Sequence, residues 1–295
     1  MSDPYIYLTR LLREHLGLTL DEPLSGHVGQ RGLVWNFLDM QLASVFQPVR
    51  NAAGDIIARK ACLRSSLRAH GELSPLAAFE QAEQAGRLVP FDRLVRTLHL
   101  LNHLRSDQPG HPLLLPVHPG LIAEVDAQHG QVFEHILHYY AVSTTQVILE
   151  VAANAVTAEI KLRQAIHNYR SLGYRVAVSD FKVPQNLFAQ NLRRERRYQD
   201  LISNTGYLEL ERILALQPDV VKLDPEVIHA AEPQMATVLP ALVHLLQERG
   251  VQVWVTGIET AAQLELARQS GADWLQGYFL DQPDFPTATP VKLAA

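Results

Sequence analysis

Three times in its second half the chain runs a helical stretch into a glycine and passes straight into an apolar strand, in SLGYRVAVSDF (171–181), ERGVQVWVTGIE (248–259) and QSGADWLQGYF (269–279). Glycine takes the left-handed, helix-ending conformation at little steric cost, so each of these junctions reads as helix, turn, strand. The strands are apolar at nearly every position, as parallel strands buried on both faces must be. PLLLPVHP (112–119), QVILEVA (146–152) and DVVKLD (219–224) add strands of the same kind, each apolar up to a polar residue at its end. An alternating α/β order with a parallel sheet follows.

Earlier, SVFQPVRNAAGDIIARKACLR (44–64) reads as two strands around a glycine turn, an antiparallel hairpin, and Ser74-Pro75 then caps a helix running to Gly86. Counting gives seven or eight strands, which predicts a parallel barrel opened by that hairpin. In such a barrel the strand C-termini share one mouth, where side chains from many strands converge. Glu150, Asp180, Lys222, Asp224, Glu259 and Gln276 all stand at strand ends. Among the helices, Met235, Val238, Leu239, Leu242 and Leu246 keep the spacing of one buried face around a kink at Pro240, and Thr260 with Gln263 forms a capping box.

Composition sets the limits. A chain of 295 residues, 47% of them hydrophobic, suits one large barrel, and a formal charge of -5 gives no overall pull toward nucleic acid or an anionic membrane. The basic run RRERR (193–197) is interrupted by Glu195 and is expected to be a solvated helix face. A single cysteine, Cys62, excludes an internal disulfide and points to a reducing, cytoplasmic compartment. The N-terminal MSDPYIYLTRLLREHLGL has no 18-residue apolar span, so neither a signal peptide nor a membrane helix is expected. His99 with His103, and His135 with His138, fall at helical spacings without a carboxylate to complete a metal site, and are expected at the surface or lining a groove.

From about Phe46 to Pro283 the chain resembles the EAL-domain family of cyclic-di-GMP phosphodiesterases. FQPV (46–49) is similar to the family's YQPI, GDIIARKACLR (54–64) stands where GxIxGxEALLR is expected, and VVKLD (220–224) resembles YIKID. The longest match is VTGIETAAQLELARQSGADWLQGYFLDQP (255–283), similar to AEGVETxxQLxxLxxLGxDxxQGYxxxxP. The resemblance implies an α/β fold, a modified TIM (β/α)8 barrel of EAL type with an antiparallel first hairpin. It divides the chain into an N-terminal helical extension (1–40), the barrel (41–285) with a long insertion at about 188–215, and a tail (286–295).

The family activates water with divalent metals, and several of its site positions are substituted here. Lys60 replaces the naming glutamate, Pro116 an asparagine, Ser179 the first aspartate of DDFG, Lys182 its glycine, and Thr256 the first glutamate of AEGVE; Ala153 replaces a second acid after Glu150. Glu150, Asp180 and Lys222 survive, as do Arg64, Asp224, Glu259 and Gln276 as ligand-binding candidates. The expectation is a catalytically silent domain with no metal cofactor. It would bind a regulatory protein, and cyclic di-GMP is a candidate ligand that Lys60, paired with Glu150 or Asp180, would receive without metal. The alternative is an active phosphodiesterase making linear pGpG at an atypical magnesium or manganese site. Helices near the insertion imply a homodimer, and neither membrane nor nucleic-acid binding is expected.

Overall fold

The computed structural model of the protein describes residues 26–29, 32–67, 71–124, 130–152, 159–182, 210–229 and 232–286. Its strands are β1 (Gly26–Gly29), β2 (Gly32–Phe37), β3 (Met40–Arg50), β4 (Ile56–Leu67), β5 (Gly71–Leu73), β6 (Leu113–Val117), β7 (Val147–Ala152), β8 (Arg175–Phe181), β9 (Val220–Leu223), β10 (Gln252–Val255) and β11 (Trp274–Leu275). They form one sheet in the order β1-β2-β3-β11-β10-β9-β8-β7-β6-β4-β5, and the pairing of β3 with β4 closes it into a barrel. Eight staves make that barrel: the antiparallel hairpin β3–β4, then β6 to β11, parallel to one another and to β4. The predicted α/β barrel with its antiparallel opening hairpin is the fold observed.

One expectation is corrected at the N-terminus. Residues 26–29 and 32–37 lie within the span expected to be a helical extension, yet they are strands β1 and β2 that prolong the sheet beyond β3. Leu33, Trp35 and Phe37 are buried there, so the segment contributes core instead of lying outside it. Residues 1–25, most of the expected insertion and the tail beyond Pro286 lie outside the described residues.

Helices cover the barrel. Ser74 caps α1 (Pro75–Gln84) by accepting from the Ala77 amide, and α2 (Leu88–Leu104) follows it. The later α3 (Glu232–Gln247) carries Pro240 inside it, and α4 (Ala261–Gln269) starts at the Thr260–Gln263 capping box as expected. Gly173, Gly250 and Gly271 all take positive φ, 87°, 75° and 77°, at the helix-to-strand junctions that the sequence marks. Among the described residues no helix is long and apolar enough to cross a membrane.

The histidines of α2 are not at the surface. His99 and His103 are buried, with His99 Nδ1 2.8 Å from Ser44 Oγ and His103 Nε2 3.0 Å from the His111 carbonyl. Burial holds both rings neutral, with pKa values lowered to about 3 and about 4. Asn102, between them, receives the Leu33 amide and donates to the Leu33 carbonyl, fastening β2 to the helix. Histidine spacing on α2 therefore records a polar seam inside the core. His135 and His138 are exposed as expected.

Candidate functional site

The barrel interior is stacked in layers. An apolar layer takes one residue from each stave: Val49, Ala58, Leu114, Ile148, Ala177, Val220, Trp254 and Trp274. Side chains alternate faces along a strand, so the residues two positions onward toward the mouth also face inward. On β4 and β6 to β9, and just past the ends of β10 and β11, these are Lys60, Pro116, Glu150, Ser179, Lys222, Thr256 and Gln276. The antiparallel β3 supplies Gln47, which pairs with Lys60 across the hairpin and donates to the Asp281 carbonyl at 2.9 Å. A polar layer thus sits directly on an apolar one.

Glu150 is the hub of the polar layer. Lys60 Nζ lies 3.0 Å from its Oε1 and 2.7 Å from its Oε2, and Lys222 Nζ lies 2.7 Å from Oε1. The three side chains are 6%, 16% and 15% exposed. Both ammonium groups also lie over the Trp254 indole, 5.4 Å and 5.3 Å from a ring centroid, so the ring's negative face forms their floor.

Protonation follows from this arrangement. Burial alone would raise the Glu150 pKa, but Lys60 and Lys222 outweigh it and hold the carboxyl down at about 2. Burial works against charge on both lysines. At Lys222 the attraction of Glu150, with help from Asp180, reverses that effect and raises the pKa. At Lys60 burial prevails over Glu150, and the neighbouring Lys222 adds to the lowering. One carboxylate is shared by two cations, and Lys60 is the less compensated of them.

Asp180 reaches this neighbourhood by a local irregularity. Val178 and Phe181 both pack in the outer core between barrel and helices, and the register of β8 on β9 shifts between them. Two residues, Ser179 and Asp180, occupy the step where regular pleating allows one, and Asp180 takes φ 62°, a strained value for a residue other than glycine. The bulge delivers the acid beside Lys222.

The other predicted residues separate from the hub. Thr256 donates 3.0 Å back to the Leu223 carbonyl, and Ser179 is buried. Pro116 is exposed although it belongs to the ring, so the mouth is open on its side. Lys182 lies at the rim, 3.8 Å from Asp224 and 3.6 Å from Glu226, while Asp224 also accepts the Glu226 amide. Asp224, a ligand-binding candidate, is thus engaged at the rim, while Lys222 pairs with Glu150. Glu259 is exposed beside the capping box of α4. Arg64 is exposed on the face of β4 that carries Lys60, with no partner among the described residues. Gln276 is 5% exposed, and its Nε2 is a buried donor without a partner among the described residues.

Sequence reasoning missed Trp254, whose apolar setting in VWVT gave no hint that it underlies both lysines. It gave Cys62 no place near the site; the half-buried thiol lies within the electrostatic reach of Lys60 and Glu150, and burial raises its pKa. A divalent ion needs several oxygen donors converging within about 2.0–2.6 Å. Here the central carboxylate is already taken by two ammonium groups, and among the described residues no three His, Cys, Asp or Glu side chains cluster to hold an ion. The described side chains, arranged in this way, do not fit a metal centre.

A family model described as the EAL domain matches residues 36–194 and 203–283. The "Probable cyclic di-GMP phosphodiesterase PdeB" of Escherichia coli is 24% identical over 237 residues, covering 79% of this chain and 41% of that protein. The "Uncharacterized EAL-domain containing protein YkuI" of Bacillus subtilis is 26% identical over 161 residues, covering 52% of this chain and 34% of that one. The chain thus spans less than half the length of these relatives. Among solved structures, the FimX EAL domain from Pseudomonas aeruginosa bound to c-di-GMP superposes with a TM-score of 0.67 at 18% identity, covering 84% of this chain and 93% of that one. A standalone versatile EAL protein from Vibrio cholerae in its c-di-GMP bound form gives 0.63 at 18% identity, with 88% and 100% covered.

Proposed function

Since the chain belongs to the EAL domain family, we propose that it is a catalytically silent member working in cyclic-di-GMP signalling, by contact with a regulatory protein and as a receptor for the nucleotide. One observation carries this reading: Lys60 and Lys222 clamp Glu150 from both sides, so the carboxylate that would ligate a metal is spent on ammonium groups. Water activation by a divalent ion needs several oxygens with open coordination, and the ionised Glu150 could reach an ion only by giving up its two ammonium partners. Binding needs less. Arg64 is exposed on the face of β4 leading into the mouth, and Gln276 Nε2 is a buried donor with no hydrogen-bond partner among the described residues. The fold neighbours FimX and the Vibrio cholerae protein are described with c-di-GMP bound, which supports the same ligand here.

For the protein partner the support is surface chemistry. Tyr278 and Phe279, directly after Gln276 and Gly277, are 62% and 47% exposed, and exposed aromatic rings are enriched where proteins dock. We place the chain in the cytoplasm on its single cysteine. A homodimer remains part of the proposal and is read by light scattering.

A second reading has its own support: Glu150, Asp180 and Lys222 are retained, and several relatives are named phosphodiesterases. It makes the protein an active enzyme releasing linear pGpG at an atypical magnesium or manganese site. Calorimetric titration with cyclic di-GMP in magnesium, followed by chromatography of the recovered nucleotide, separates the two. Saturable heat with intact nucleotide is the expected result. Linear product overturns catalytic silence, and absence of heat overturns the receptor role and leaves the protein partner to be found.

A further inference from the structure

At the end of the barrel opposite the mouth, two cavities of about 600 Å³ and about 450 Å³ adjoin, sharing Arg170 and Gln217 in their walls. The larger lies under the starts of β8, β9 and β10, where Arg175, Asp219 and Gln252 meet the turns at Gln217 and Gly250. The smaller continues along the helix Glu159–Ser171, whose Arg163, His167 and Arg170 are all exposed. Spacings of four and three residues put these three on one helix face, while Leu162, Ala165 and Tyr169 are buried. Seven residues of helix make that row about 10 Å long.

Both walls are basic. Arg163, Arg170, Arg175 and Arg249 line them, and among the described residues Asp219 is the one acid that does so. Its Oδ2 is already engaged, accepting the Val176 amide at 2.8 Å and Arg170 Nη1 at 3.2 Å. Glu211 reaches Arg249 Nη2 at 3.5 Å. Counting Glu211 as well leaves two positive units unmatched, in a chain whose formal charge is -5. Glu248 and Asp273, the next acids along this edge, line neither cavity: Glu248 pairs with His244, and Asp273 accepts the Val253 amide and Gln247. Two of the guanidinium groups are also held in place. Arg170 donates to the Gln217 carbonyl, and Arg175 donates to Gln252 Oε1 at 2.8 Å while lying 5.4 Å from the Trp274 ring centroid. A cation positioned in advance gives up less freedom when a guest arrives.

We propose that this basic groove docks an extended acidic segment of a protein, whose carboxylates pair with arginines from Arg163 at one end to Arg249 at the other. This deepens the regulatory-protein reading above and rests on it for the assignment of the segment to that partner. Guanidinium forks match carboxylates in shape as well as charge. An extended peptide advances about 3.3 Å per residue, so the row from Arg163 to Arg170 accommodates about three residues before the larger cavity begins. That length suits a peptide better than a compact anion. Among the described residues no Phe, Tyr or Trp lines either cavity, so the groove lacks the stacking platform that single-stranded nucleic acid uses.

Fluorescence anisotropy of a labelled hexaglutamate peptide, titrated with the full chain at low salt, tests the groove. Saturable binding is expected, with none for a hexaglutamine control and no displacement by cyclic di-GMP. Arg163→Glu and Arg249→Glu, at the two ends, should each weaken it about 10-fold, since each turns an exposed ion pair into a repulsion. Together they should weaken it about 100-fold, because separated sites add. Circular dichroism verifies that each variant folds; should Arg249→Glu not fold, Arg249→Gln replaces it, with about a 3-fold loss expected. Hexaglutamate that does not saturate, that binds both variants undiminished, or that cyclic di-GMP displaces overturns the proposal. The regulatory-protein reading survives those results, because Tyr278 and Phe279 offer a partner another surface. A hexanucleotide that binds more tightly than hexaglutamate overturns it in favour of nucleic acid. Hexaglutamate held as expected, with no partner protein recovered by cross-linking, sustains the acidic-peptide groove and removes the regulatory-protein reading.

Discussion

Replacing Glu150 by glutamine removes one charge and keeps the shape, and its cost can be worked from three distances. At an effective dielectric of about 20, an ion pair at 2.7–3.0 Å is worth about 6 kcal/mol before desolvation, and Glu150 makes two such pairs. Both ammonium groups bond the same oxygen at 3.0 Å and 2.7 Å, so they are at most about 5.7 Å apart. Without the carboxylate they repel by about 3 kcal/mol on the same scale. Leaving buried charge uncompensated costs about 3–5 kcal/mol in total, a large share of a stability on the order of 10 kcal/mol. Urea denaturation followed by circular dichroism at pH 7 should show that loss in Glu150→Gln. It should also show partial recovery in Lys60→Met/Glu150→Gln, because one cation alone has nothing to repel. The penalty should shrink as pH rises toward about 10.4, because a lysine with a lowered folded pKa loses its proton first in the folded state. In the unsubstituted protein the Glu150 pKa of about 2 lies below its ordinary 4.5. Its contribution is therefore present above pH 4.5 and lost as pH falls toward 2, a slope that Glu150→Gln lacks. A double variant no more stable than Glu150→Gln would refute the shared-carboxylate account.

Three further outcomes are expected. His99 is neutral in the fold with a pKa of about 3, so stability is full above pH 6.5 and declines as pH falls below it; His99→Gln should flatten that decline by one proton in pH-dependent denaturation. Gly277→Ala would drive a Cβ into the Ile258 backbone, which cannot give way as a flexible side chain can, and should cost more than about 3 kcal/mol in the same assay. Asp180→Gly and Asp180→Ala both remove the carboxylate beside Lys222, but only glycine accepts a φ of 62° without strain, so Asp180→Gly should be more stable than Asp180→Ala by about 1 kcal/mol in thermal denaturation.

The polar layer was legible because alternation and strand ends are sequence properties. Lys60, Pro116, Glu150, Ser179, Lys222, Thr256 and Gln276 could each be placed by pleat and motif, and the structure sets all seven in one ring with Gln47. Gln47 escaped because β3 runs the other way, so its inward polar residue does not sit at a strand's C-terminal end. The choice of partner was also hidden: whether Lys60 meets Glu150 or Asp180 depends on the stagger of strands around a closed barrel. Trp254 reads as one more apolar strand residue until closure sets it under two lysines. The burial of His99 and His103 required knowing that α2 is packed on several sides at once, which a single-face spacing does not reveal. Strands β1 and β2 are short and lie where an extension was expected, so the corrected boundary came from pairing alone.

The barrel is not equally sewn all the way round. The hairpin β3–β4 is paired along its length, from Met40 with Leu67 to Arg50 with Ile56. It joins its neighbours by far less: Arg59 with Leu113 and Lys60 with Leu114 on one side, Arg50 with Leu275 and Phe46 with Asp284 on the other. Side chains bridge those thin seams, with Arg50 forked onto Asp281, Arg59 on Ser106, and Lys60 on Glu150. Lys60 therefore rides on one body and Glu150 with Lys222 on another, and the clamp is also a latch. Loss of the Lys60–Glu150 contact therefore removes a tie between the hairpin and the parallel staves as well as an ion pair. The free end of that hairpin carries β2 on one strand and β5 on the other, so the strands beyond the barrel are attached through the hairpin and not through the parallel staves.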